Sequence, residues 1–407
     1  MKKHIFFLFL CFIHNSSWSQ KEPVPKGNCT EAMVMKTPGK WLKWNDNTTV
    51  YNGAQLQEAY SRLDIVHRHI VKMVPQPVGV DIRWKRSIGV SYFGTTRKYY
   101  NNMDNALTFD YGKLFKISSY SYSANFSPHF CAHTDRGIIF VRGEMNESSK
   151  GIGVTINTLE DILVEPPPDD DWTIGGLPIK MRSPVASEKW RGYEIQYPEP
   201  GGRSRCVLIH RRGVLPYTPV SRKQYLDRCI SHQTKLYDGM ITAIEKKKMR
   251  TKEEQETEKR NTIARIQKQA GKGNEQKARA AVEYYLANYK TDEQMKEEEL
   301  VKIRKIGDSE LKKFTDELQK TSSEGLLDSP ALILVRYNSD LIFETDPQKG
   351  YMLVTENPDY IRKDLPAWIP QMIVLTWVWS EYIPHIEYQK LFEENFPVEM
   401  LETMIDR

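Results

Sequence analysis

From Ser221 to about Lys320 the chain changes character, and no other feature constrains its fold as tightly. Tyr225, Cys229, His232, Leu236, Met240 and Ile244 recur at spacings of three and four, the stripe of a helix with one apolar face. Glu245 to Thr262 then contains a single apolar residue, Met249, so a helix there is solvated on nearly every side. Gly271-Lys272-Gly273 breaks the run. A further helix is expected over Glu275–Tyr289, with Ala278, Ala281, Val282, Tyr285 and Leu286 on one side. Thr291 and Gln294 have the spacing of a capping box, in which the two side chains satisfy free amides at a helix start. The helix that follows carries Leu300, Ile303, Gly307, Leu311, Phe314 and Leu318 in a seam. The pattern predicts two or three long helices folded back on one another and partly projecting into solvent.

The flanking chain reads differently. Leu56, Tyr60, Leu63, Val66 and Ile70 place a helix over Ala54–Met73, ended by Pro75 and Pro77. From Val78 to about Val220, short runs rich in Val, Ile, Tyr and Phe alternate with Gly, Pro, Asn and Asp clusters, the signature of a sheet. Expected strands include Val80–Trp84, Gly89–Phe93, Lys116–Tyr122, Ile138–Val141, Gly153–Ile156, Tyr193–Tyr197 and Cys206–His210. Pro166 to Asp171 reads as a stiff acidic loop. After the helices, strands are expected at Ala331–Val335, Asp340–Glu344, Tyr351–Thr355 and Met372–Trp379, then a helix near His385–Glu394 and another starting at Pro397. In Met372–Trp379 the period of two places Leu375, Trp377 and Trp379 on one face. The predicted class is α+β: a sheet-rich body with a long charged helical insertion and a C-terminal strand and helix segment. The divisions fall at 1–19, 20–77, 78–220, 221–325 and 326–407, the last segment packing on the body.

Residues 1–19 have the order of a cleavable export signal. Lys2 and Lys3 precede an apolar run, Ile5–Ile13, and the small residues Ser17 and Ser19 follow. The run is too short to span a bilayer, and no transmembrane anchor is expected. The expectation is an exported chain, periplasmic or secreted. The net charge is +5, and loss of Lys2 and Lys3 would leave +3. That is too near neutral to argue for nucleic acid or a membrane surface, and no nucleic-acid partner is expected. Cys29, Cys131, Cys206 and Cys229 would remain, enough for two disulfides in an oxidising compartment with three possible pairings.

One cluster has the residue types of a metal site. In an extended strand His129, Cys131 and His133 project from one face, and imidazole and thiolate are zinc ligands. Their alternating spacing is not a recognised zinc pattern, so no cofactor is predicted and zinc stays an alternative. His67 and His69 diverge on their helix and cannot chelate one ion unaided. No nucleophile elbow, phosphate loop, His-Glu-x-x-His or dinucleotide fingerprint occurs. Glu144, Glu147, Glu160 and Asp161 read as solvated loop acids. Tyr120 and Tyr122, with other aromatics between Tyr92 and Phe130, form either a ligand-binding face or the sheet's core. The leading reading is a binding or interaction protein for an unidentified protein, peptide or glycan. The alternatives are a metal-assisted hydrolase using His129, Cys131 and His133, and a structural component of an envelope assembly.

Leu215-Pro216-Tyr217-Thr218-Pro219-Val220-Ser221-Arg222-Lys223-Gln224-Tyr225-Leu226, where a strand meets a long helix, resembles a segment of a group of uncharacterised exported bacterial proteins. The Lys/Glu-rich helices and the tail Glu393-Glu394-Asn395-Phe396-Pro397 are similar to that group too. The resemblance implies export and a shared architecture, and carries over no activity, cofactor or site residue.

Overall fold

The computed structural model describes residues 30–48, 53–93, 115–134, 137–142, 150–166, 173–174, 177–197, 203–271, 274–334 and 342–407. The expected export signal, Cys29, Glu144, Glu147, and most of the Pro166–Asp171 loop lie outside them. The first elements are α1 (Glu31–Val34), β1 (Trp41–Lys43), β2 (Asn47–Thr48), α2 (Gly53–Met73), β3 (Val80–Phe93), β4 (Phe115–Thr134), β5 (Gly137–Arg142) and β6 (Gly151–Ile156). Next come β7 (Leu163–Val164), β8 (Thr173–Ile174), β9 (Leu177–Arg182), β10 (Val185–Trp190), β11 (Tyr193–Gln196), β12 (Ser204–His210) and β13 (Tyr217–Pro219). Four long helices follow: α3 (Arg222–Glu245), α4 (Lys252–Ala270), α5 (Glu275–Asn288) and α6 (Asp292–Ser323). The chain closes with β14 (Leu332–Ile333), β15 (Tyr351–Glu356), β16 (Met372–Val378), α7 (Ile383–Asn395) and α8 (Glu399–Glu402).

The strands form two sheets. The larger runs β1-β3-β4-β6-β16-β12-β11-β10, with β2 also on β3 and β5 also on β4. The smaller runs β13-β15-β9-β7, with β14 also on β15 and β8 on β9. β16, from the far end of the sequence, is the central strand of the larger sheet, antiparallel to β6 and to β12. Its sequence is almost wholly apolar because both of its faces are covered. Ile373, Leu375 and Trp377 pack under α2, α7 and α8, with Leu63, Val66, Ile70, Phe392 and Leu401. Met372 and Val374 face the other way, toward Leu163, Tyr217 and Val354 of the smaller sheet. The smaller sheet's outer face, Ile179, Met181 and Leu353, packs on Leu226 at the start of α3 and on Phe314 and Leu318 of α6. The molecule is therefore layered: helices, large sheet, small sheet, root of the long helices. This is the α+β fold expected, with a sheet-rich body.

The helical insertion leaves and rejoins one strand lane. β13 and β14 lie end to end along the same edge of β15. At the join, Val220 N donates to Leu353 O (2.8 Å), Ala331 N to Val220 O (2.8 Å) and Leu353 N to Ala331 O (2.9 Å). Everything between Val220 and Ala331 is an arm whose two ends meet at this pair, and the pairing continues from Arg222 N to Ser329 O (2.9 Å) and from Lys223 N to Leu327 O (3.0 Å). Ser221, Thr251 and Thr291 each cap a helix in a complete capping box. α3 and α6 pack on each other, Leu300 and Gly307 being the buried seam positions of α6. Leu236 and Met240, in the apolar stripe of α3, are exposed, 36% and 40%. At the elbow Arg250 pairs with Asp292, and the buried Gln255 bridges Arg250 O (3.0 Å) and Asp292 N (3.1 Å). Arg250 holds the Asp292 carboxyl low, at about 2. Beyond the elbow α4 and α5 pair with each other.

Other expectations need correcting. Val80–Trp84 and Gly89–Phe93 are one continuous strand, β3, because β4 pairs with it along its whole length. β9 and β10 are not among the expected strands; Pro178 in one and the polar Ser187-Glu188-Lys189 run in the other mask the alternation. Residues 342–344 are not a strand, since Glu344 turns to accept from Thr345 N and Asp346 N. Tyr120 and Tyr122 are buried in the main core, 2% and 0% exposed, so they form no ligand face.

Candidate functional site

A cleft of about 370 Å³ opens where the edges of the two sheets meet. The larger sheet supplies Tyr193, Glu194 and Gln196 from β11 and Leu208 and His210 from β12. The smaller sheet supplies Arg182 from β9, Tyr217 and Pro219 from β13 and Met352 from β15. Leu215 closes one side. The β10–β11 hairpin turns tightly at Arg191 and Gly192, with φ of 49° and 90°, the left-handed pair a two-residue hairpin needs. That turn delivers Tyr193 and Glu194 to the rim.

The electrostatic centre is Arg182. Its side chain is only 7% exposed, while that of its partner Glu194 is 58% exposed; Nη2 and Oε2 are 2.8 Å apart. The guanidinium carbon lies 5.7 Å from the centre of the Tyr217 ring. Burial raises the Tyr217 hydroxyl's pKa and Arg182 opposes the rise. Arg182 Nε and Gln196 Oε1 are buried, and neither meets a hydrogen-bond partner among the described residues. A buried polar atom left so is costly, and a ligand offering the complementary group recovers that cost. His210 Nδ1 lies 2.8 Å from Arg211 O and 2.9 Å from Val214 O. Two carbonyls there hold a proton on Nδ1. Tyr193 donates to Glu402, and burial together with that bond raises its pKa. Leu208, Leu215, Pro219 and Met352 make the apolar wall. The volume is within the range of small-molecule sites, and the walls are polar and apolar in nearly equal measure.

The residues singled out from the sequence lie elsewhere. His129 is fully buried on β4, with Nε2 3.4 Å from Asp81 Oδ1. The backbones of Cys131 and His133 continue the same strand against Phe140 and Ile138, and their side chains lie outside the described residues. No group of three or more His, Cys, Asp or Glu able to hold a metal occurs among the described residues. Cys206 is a free thiol, fully buried behind the cleft, its pKa strongly raised by burial. Cys229 is buried on α3 with its sulfur 4.0 Å from Arg228 Nη1. His67 stacks on Trp84, ring centres 3.7 Å apart, and meets the Tyr122 hydroxyl at 2.9 Å. Asp161 accepts from Thr155 Oγ1 at 2.7 Å rather than standing in solvent.

A second polar arrangement joins Ser380 Oγ to His385 Nδ1 (2.7 Å) and His385 Nε2 to Phe126 O (2.6 Å). The carbonyl fixes the proton on Nε2, so the Ser380 hydroxyl donates to Nδ1. This is the order of a nucleophile and its base, but His385 is only 3% exposed. The pair ties the start of α7 to β4.

No local signal marks the cleft in the sequence, because its polar residues come from four strands in two sheets. The one hint is the Leu215–Leu226 segment quoted for its resemblance, which supplies Leu215, Tyr217 and Pro219. Comparison with protein-family models, with curated protein sequences and with solved structures returns no match. No helix among the described residues is long and apolar enough to cross a membrane.

Proposed function

We propose that this is an exported binding protein whose cleft takes a small polar ligand bearing a carboxylate or similar anionic group. The observation that carries the reading is the unequal burial of one ion pair: Arg182 is a buried cation in the cleft, and the acid that neutralises it is exposed. A buried cation requires an anion, and Glu194 can turn to solvent at little cost while a ligand anion takes its place. Gln196 and His210 supply further hydrogen bonds, and the apolar wall holds the ligand's carbon skeleton.

The test is thermal stabilisation of the purified protein by free amino acids, short peptides and sugar acids, set beside their uncharged analogues. Ligands of the folded state raise the melting temperature. Anionic members should stabilise, Arg182→Gln should remove the effect, and Glu194→Ala should enhance it by removing the competitor. Stabilisation by uncharged analogues alone, or weaker binding in Glu194→Ala, would overturn the reading.

A further inference from the structure

The arm's charge is not spread along its length. Residues 222–323 carry twenty-four Lys and Arg against eighteen Asp and Glu, a net +6, while the rest of the chain sums to −1. Residues 259–279 alone hold seven of the cations and one acid, Glu275. The remaining arm positions balance, seventeen against seventeen. The whole excess therefore sits around the turn between α4 and α5, at the end of the hairpin away from the elbow. Arg260, Arg265, Lys268, Lys277 and Arg279 are all exposed there. None of these five has an acidic partner among the described residues. Elsewhere on the arm several cations are paired, as in Lys223–Asp227, Lys290–Glu298 and Lys312–Asp316, and Lys259 at the near end of this stretch meets Glu256. Tyr284, 73% exposed, stands two turns along α5 from Lys277 on the same face.

We propose that this end of the arm docks on an anionic lipid surface. Each Lys or Arg close to such a surface contributes favourably, and the contributions accumulate when the cations cluster. A tyrosine beside them sits well at headgroup level, its ring in the apolar boundary and its hydroxyl in water. The partner's shape follows from the arm's. Two paired helices are together about 20 Å across, wider than the roughly 12 Å major groove of duplex DNA, and suit a plane better than a groove. The rest of the chain, at −1, or −3 without Lys2 and Lys3, is not drawn to the same surface, so the tip leads. The inference is independent of the cleft's ligand.

The test is co-sedimentation of the full chain with vesicles of phosphatidylcholine alone and of phosphatidylcholine mixed with phosphatidylglycerol, at low and at physiological salt. Sedimentation should require the anionic lipid and weaken with salt. The quadruple variant Arg265→Glu/Lys268→Glu/Lys277→Glu/Arg279→Glu should lower partitioning by on the order of 100-fold with its far-UV circular dichroism unchanged. Arg182→Gln should leave partitioning as it was, which separates this result from the fate of the cleft. Equal binding to both vesicles, none to either, displacement by inorganic phosphate at the same phosphorus concentration, or tighter binding to a DNA or RNA oligonucleotide would each overturn the proposal.

Discussion

Asn157 shows how much one side chain can hold. It is buried with φ of 58°, a backbone conformation that Asn and Asp both tolerate. Its Nδ2 donates to Ser118 O and Ile369 O, and its Oδ1 accepts from Gln371 N and Met372 N. Asn157→Asp keeps shape and backbone but turns two donors into acceptors facing carbonyls. It should cost about 3 kcal/mol in urea unfolding at neutral pH, and less in acid, where a protonated carboxyl can donate again. His67 has a pKa below its ordinary 6.5, chiefly because burial disfavours the charged ring. The unfolded chain binds that proton more readily, so this contribution is complete above pH 6.5 and is lost as pH falls through the lower, folded value. The urea midpoint should drop between neutral pH and mild acid, and His67→Gln should flatten the slope. Cys206, with its thiol pKa raised by burial, should resist iodoacetamide in the folded protein and react in denaturant without reductant, as mapped by peptide mass. Residues such as Asn157 and Arg182 were illegible in the sequence, because their meaning lies in partners more than ten residues away.

Periodic elements were legible. The stripe of α2 and the apolar run of β16 are dictated by which faces are covered, and a covered face leaves a local record. Mates were not: nothing near Met372–Val378 says that it lies between β6 and β12. The arm was legible as helices, and the exposure of Leu236 and Met240 shows that an apolar stripe records a face, not its burial. Where α3 and α6 do meet, the fit is close. A Cβ on Gly307 would stand 2.9 Å from Tyr237 Cγ. Gly307→Val should force the helices apart and lower the arm's thermal stability by about 1–3 kcal/mol. Tyr237→Ala in the same chain should restore part of it, measured by far-UV circular dichroism and by hydrogen exchange across α3 and α6.

The whole molecule separates into a layered body and an arm that share one strand lane. Since Val220 and Ala331 are already hydrogen-bonded, replacing residues 223–327 with a short Gly/Ser turn should leave the body folded, with one cooperative melt and the cleft's ligand response intact. Loss of the near-ultraviolet signal of the buried Trp190, Trp377 and Phe392 cluster would show instead that Leu226, Phe314 and Leu318 together are indispensable to the small sheet. The net charge of the whole chain says little about where charge lies. A total near neutral concealed a basic tip and a weakly acidic body, because a sum over the chain discards position.

The root of the arm has a mechanical consequence. Pro219 and Met352 line the cleft, and Val220 and Leu353 are the residues next along the same two strands, where the arm is anchored. A sideways load at the far end reaches this junction as a torque about β15, multiplied by a lever of roughly 36 Å along α3 alone. The cleft wall is the fulcrum of that lever.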